Sequence, residues 1–174
     1  MAGLTQDTHL ITYGAQDISN LTAFPVGTSQ QLYYGAVALM SGSGATTVGY
    51  IKNAATAGAS DTVVGMVGEP AGGTYTSTGP GVLGGSTDGA VWINVRTGAF
   101  MFQSGTGADQ LSATTNGKTV YYGGENTSGP IACATGSGTR PVLGIQLPQD
   151  PGFAGGYTPG SSYWPVKLTA VGGP

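Results

Sequence analysis

The sequence predicts an all-β protein: a small β-sandwich or β-barrel core with extended N- and C-terminal arms. Three observations predict it. Short runs rich in Val, Ile, Tyr and Thr recur along the chain, each closed by Gly, Ser, Asn or Pro, which is the pattern of strands and turns. Glycine or proline interrupts almost every window of ten, and a glycine inside a helix costs about 1 kcal/mol relative to alanine, so no helical period survives. The 174 residues suffice for one domain whose core needs no disulfide or metal.

Residues 1–30 carry few strand signals and hold Phe24-Pro25 followed by Gly27, so they read as an extended N-terminal arm. The core spans 31–147. Its strand runs are Tyr33–Met40, Thr47–Lys52, Thr62–Gly68, Ala90–Val95, Ala99–Gln103, Lys118–Tyr122 and Pro141–Leu147. Val91 to Phe102 reads as a hairpin turning at Arg96-Thr97-Gly98, where Gly98 is free to take positive φ. Glycine-rich loops are expected at Ser41–Thr46, Ala54–Ser60, Ala71–Gly89 and Gly123–Pro130. The 71–89 stretch is long enough to suggest an exposed excursion toward a partner, or a solvated loop. Beyond Pro148, prolines 151, 159 and 165 are spaced through glycines, and Tyr163–Ala170 is a last strand run. Residues 148–174 therefore read as a C-terminal arm or a closing strand.

Only 7% of residues are charged, against a typical quarter for soluble domains. The surface must be built from Ser, Thr, Asn, Gln and backbone. Low charge removes the repulsion that keeps a lone domain apart from its neighbours, which suits a protein packed against other proteins. The five basic residues, Lys52, Arg96, Lys118, Arg140 and Lys167, stand singly. Nucleic-acid binding needs clustered cations to displace counterions, so no nucleic-acid partner is expected. No run approaches the roughly 18 apolar residues of a helical membrane span, and no secretory signal is expected at Met1–Asp7.

The residues of catalysis are sparse. Cys133 is the one cysteine, so no intrachain disulfide can form, and a buried thiol is the expected state. His9, the one histidine, falls in the arm, where accurate positioning is hard. One His and one Cys offer no zinc spacing. The carboxylates Asp7, Asp17, Asp61, Glu69, Asp88, Asp109, Glu125 and Asp150 are isolated, mostly beside turn residues where Asp caps backbone. The glycine-rich stretches lack the Lys and helix start of a phosphate-cradling loop. No catalytic residue, cofactor or metal is therefore assigned, and no enzymatic activity is expected.

The aromatics carry more. Tyr33/Tyr34 and Tyr121/Tyr122 are adjacent pairs, so on a strand one ring of each faces inward and one outward. An outward Tyr on a weakly charged surface is a natural interface anchor. Phe24, Tyr33, Tyr34, Tyr121, Tyr122, Tyr163 and Trp164 are the candidate interface residues.

Residues 31–147 resemble the capsid decoration (cement) proteins of tailed bacteriophages, and more loosely short phage proteins of the DUF2190 type. The likeness lies in a cadence of strands: Gln31 to Leu39, Val48 to Ala54, Thr62 to Val67, Gly89 to Phe100, Gly117 to Tyr122 and Val142 to Ile145. The resemblance implies a β-barrel or sandwich bound to the exterior of the virion capsid, with the major capsid protein and further copies of itself (dimer or trimer) as partners. It carries no catalytic residues across. The expected function is decoration and stabilisation of a phage capsid, in a protein made in the host cytoplasm. The alternative is a head-fibre or tail component with a carbohydrate-binding face, since exposed Tyr and Trp stack on sugars.

Overall fold

The computed structural model describes residues 21–42, 49–73, 81–149 and 162–169. Among them the protein is all-β, and its helical content is three single 3-10 turns, at Ala54–Thr56, Gly107–Asp109 and Ala113–Thr115. The first half supplies β1 (Leu21–Pro25), β2 (Gln31–Leu32), β3 (Val37–Met40), β4 (Ile51–Lys52), β5 (Thr62–Gly73), β6 (Val82–Leu83) and β7 (Val91–Arg96). The second half supplies β8 (Ala99–Ser104), β9 (Thr119–Asn126), β10 (Gly129–Cys133), β11 (Val142–Gln146) and β12 (Tyr163–Leu168).

The halves form different sheets. Strands β1-β7-β5-β3-β4 make an antiparallel five-stranded sheet, with β2-β6 as a separate ribbon. Strands β10-β8-β12-β11-β9 close into a barrel, which leaves no strand edge open. The sheet itself curls. Just past β1, Val26 bridges Ile51 of β4, and the Gly27 N–H donates to the Ile51 carbonyl at 2.9 Å, so first and last strands touch.

Each sheet face has its own core. On one face, Val37, Leu39, Val63 and Met66 join Phe100, Phe102, Val120, Tyr122, Leu143, Trp164 and Val166 of the barrel in a single cluster. On the other, Val26, Ala38, Ile51, Val67, Val91, Ile93 and Val95 fill the curl of the sheet. The alternation Val91, Ile93, Val95 places three β-branched side chains on one side of β7, as period-2 patterning requires. At Gly65 (φ 154°) an added Cβ would strike the Val95 side chain and the Arg96 carbonyl, so β5 and β7 approach closely only with glycine there. Pro70 of β5 pairs with Ile93 between two register shifts, the kind of irregularity at which a strand tolerates proline.

Several expectations are corrected. Val91–Phe102 is not a hairpin: β7 pairs with β1 and β5, β8 pairs with β10 and β12, and Arg96-Thr97-Gly98 carries the chain from sheet to barrel. Gly98 does take positive φ, at 137°. Residues 21–30 are not an arm, because Leu21–Pro25 pairs with Arg96–Trp92 along its whole length. The rest of the expected arm, residues 1–20 with His9, lies outside the described residues. Gly123–Pro130 is no loop but the β9–β10 hairpin, turning at Thr127-Ser128. The 71–89 stretch opens inside β5 and contains β6, and residues 74–80 lie outside the described residues. At the other end, Tyr163–Leu168 is a barrel strand between β8 and β11.

Candidate functional site

The aromatic candidates separate by burial. Tyr122 and Trp164 are core residues of the barrel, at 0% and 8% exposure, and are corrected as interface anchors. Phe24, Tyr33 and Tyr34 are half-buried against the core of the curled sheet. The one-in, one-out rule describes Tyr121/Tyr122, which lie on β9, but not Tyr33/Tyr34, which lie in the turn after β2. Tyr163 is half-buried, and its carbonyl accepts from Gln149 Nε2 at 2.7 Å. Tyr121 faces outward beside Val142, its register partner on β11.

Among the described residues the exposed large apolar side chains are others: Leu21, Leu83, Trp92, Val142 and Ile145. Val142 and Ile145, at 45% and 40% exposure, stand three apart on β11, a spacing that turns opposite ways in a regular strand. A register shift between Val142 and Gly144 adds the residue that turns both outward, while Leu143 stays buried. Thr119 and Lys167 flank Ile145 on the neighbouring strands, both exposed. The outer barrel face is thus an aliphatic pair bordered by Tyr121, a hydroxyl and one ammonium.

The second exposed face belongs to the β1–β7 wing of the sheet. Trp92, Asn94 and Arg96 alternate with the buried valines and isoleucine of β7, on the side opposite them. Pro25, Ala23 and Leu21 of β1 are their register partners. The barrel covers this same side of the sheet over β3 and β5 and leaves the wing open.

The buried polar groups hold the fold together. Asp61 accepts the Gly58 and Gly42 N–H groups at 2.6 and 3.3 Å and the Lys52 ammonium at 2.7 Å, with its side chain 3% exposed. Fully buried Gln146 accepts from the Thr115 hydroxyl at 2.6 Å and donates to the Ser112 carbonyl and Asn116 Oδ1. Asp109 accepts from the Thr135 hydroxyl and pairs with Arg140 at 2.9 Å, contacts that hold its carboxyl below the usual range. The Thr28 hydroxyl and N–H do the same for Asp88. Burial pushes the Cys133 thiol up to about 11, so it is a neutral packing group and not a nucleophile at neutral pH. A narrow cleft by Tyr33, Asn53 and Glu125 leaves no water-sized space.

Among the described residues no group of three or more His, Cys, Asp or Glu side chains is placed to hold a metal ion, and no helix is long and apolar enough to cross a membrane. No family model, curated protein or solved structure matches this chain.

Proposed function

We propose that this chain is a structural virion protein that decorates and stabilises a phage capsid through self-association and binding to the major capsid protein. The observation that carries the reading is the outward Val142–Ile145 pair on the barrel. Apolar side chains gathered on a weakly charged surface favour cover by another protein, and Tyr at their border strengthens such contacts. The few charges serve the fold where they are paired, as Lys52–Asp61 and Arg140–Asp109 show, so little long-range repulsion opposes close packing of copies.

In this reading the barrel face joins copies into a dimer or trimer, and repeated weak contacts with the lattice add up through multivalency. Residues 1–20, which lead directly into β1, are the segment assigned to the shell contact. Protein added to capsids stripped of it tests the function. Saturable rebinding that raises the temperature at which the shell opens supports it. Shells that take up no protein and open at an unchanged temperature contradict it.

The alternative, a head-fibre or tail part with a carbohydrate-binding face, is favoured by one observation, the exposed Trp92.

A further inference from the structure

We infer that the outward row Trp92–Asn94–Arg96 on β7 binds an acidic carbohydrate, a short uronate-type oligosaccharide. The inference stands without the capsid reading, because it rests on a different face from the Val142–Ile145 pair.

Alternate residues of one strand share a face, so the three side chains form a line about 13 Å long from first to last. That is the reach of a short oligosaccharide and not of a single small ion. Trp92 is 41% exposed. Its flanks are low: Pro25 is its register partner on β1 and Gly72 on β5. The indole therefore offers an open apolar plate with a polar N–H at its edge, the combination that suits the apolar face and hydroxyl rim of a sugar ring.

Among the described residues the polar members of the row have no partner. Neither the Trp92 indole N–H, the Asn94 amide nor the Arg96 guanidinium makes a hydrogen bond or ion pair with a described residue. The contrast is with Lys52 and Arg140, each paired to a carboxylate. Arg96 also lies against β5. A Cβ at Gly68 would lie 3.5 Å from Arg96 Nε and 3.7 Å from its Cγ, so the side chain extends across the bare glycine. A guanidinium with no carboxylate partner among the described residues is complementary to a carboxylate from outside. The Asn94 amide, between ring and cation, can donate to and accept from neighbouring hydroxyls at once.

Other ligand classes fit less well. One cation cannot supply the counterion release on which nucleic-acid affinity depends. A peptide adding as a strand would need a free backbone edge, and β7 is paired on both sides, to β1 and β5.

Titration calorimetry of the intact protein tests the inference with three probes: a short oligogalacturonate, the same oligomer methyl-esterified, and a neutral cello-oligosaccharide. The acidic probe is expected to bind about tenfold tighter than either neutral one, the loss that goes with one charge-assisted contact. Arg96→Gln should abolish that preference, and Trp92→Ala should weaken all sugar binding about a hundredfold. Trp92 fluorescence should shift on binding while buried Trp164 stays unchanged. Should Trp92→Ala fail to fold, Arg96→Gln decides the matter, since it leaves the core untouched. No heat with oligogalacturonate up to about 10 mM, equal affinity for all three probes, or unchanged binding by Arg96→Gln overturns the inference. So does loss of protein partners, but of no sugar, in Trp92→Ala, which would make the row a protein contact.

Discussion

The backbone N–H of Val37, in the sheet, donates to Oε1 of Glu125, in the barrel, at 2.8 Å, across 88 positions of sequence. Glu125 is 3% exposed, and Val37 belongs to the core shared by sheet and barrel. A polar bond thus pins the seam that the apolar cluster glues. Glu125→Leu leaves a buried N–H without its acceptor and should destabilise by about 1–3 kcal/mol. Glu125→Gln keeps an acceptor oxygen and should lose less. Urea unfolding of both variants checks the order.

Asp61 makes a similar latch within the first half. Asp61→Ala strands the Lys52 ammonium and two backbone donors, for an expected loss of about 3–5 kcal/mol. Lys52→Met should lose less, because Asp61 keeps its two backbone donors. Added salt should change the difference little, since the pair is largely shielded from solvent. Guanidinium would mask that last point, so urea is the denaturant of choice.

The barrel predicts weakness in alkali. Burial holds the Cys133 thiol protonated up to about 11, and burial followed by the charge of neighbouring Glu125 raises the Tyr122 phenol as well. The unfolded chain releases these protons earlier, near pH 8.5 for Cys and 10 for Tyr, within about a unit. Stability is therefore complete below about pH 8.5 and falls as pH rises toward 11. Cys133→Ala should flatten the decline between pH 9 and 10, and Tyr122→Phe the part above 10, in melting curves taken across that range. The Tyr122 hydroxyl lies near Glu125 yet makes no hydrogen bond of good geometry. Tyr122→Phe should therefore be neutral or stabilising at pH 7. Native Cys133 should resist thiol reagents at pH 7.5 and react fully in urea.

β1 sets where the chain can be shortened. Removing residues 1–20 leaves every described strand in the chain, so this truncation is the reference for the longer one. Removing 1–30 deletes β1, uncovers β7 and withdraws Phe24 and Val26 from the second core, an expected loss of at least about 3–5 kcal/mol. Melting of the two truncations separates these cases. Shell occupancy of the shorter truncation then tests the contact assigned to residues 1–20, and unchanged occupancy would remove it.

What was legible in the sequence was local. The runs starting at Thr62, Ala99 and Tyr163 coincide with the starts of β5, β8 and β12, because β-branched and aromatic residues bounded by glycine define a strand without reference to its partner. Pairing was not legible. The Arg96-Thr97-Gly98 stretch has hairpin chemistry, yet the core of the curled sheet claims Ile93 and Val95 while the barrel claims Phe100 and Phe102. β1 and β10 carry little local signal, because Leu21–Pro25 and Gly129–Cys133 are short and each contains proline. The exposed Trp92 was within reach, since Val91, Ile93 and Val95 fix the inner side of β7 and leave Trp92 outside. The Val142–Ile145 pair was not, because strict alternation turns one of the two inward and only the register shift reverses that.

Sedimentation equilibrium of the wild-type chain beside a Val142→Lys, Ile145→Lys double variant tests the central claim most directly. Both positions face solvent in the isolated chain, so the variant should melt at nearly the wild-type temperature. The account predicts a wild-type dimer or trimer at micromolar concentration and a monomeric variant. A wild-type monomer at every concentration, or a variant that assembles as well as the wild type, would contradict it.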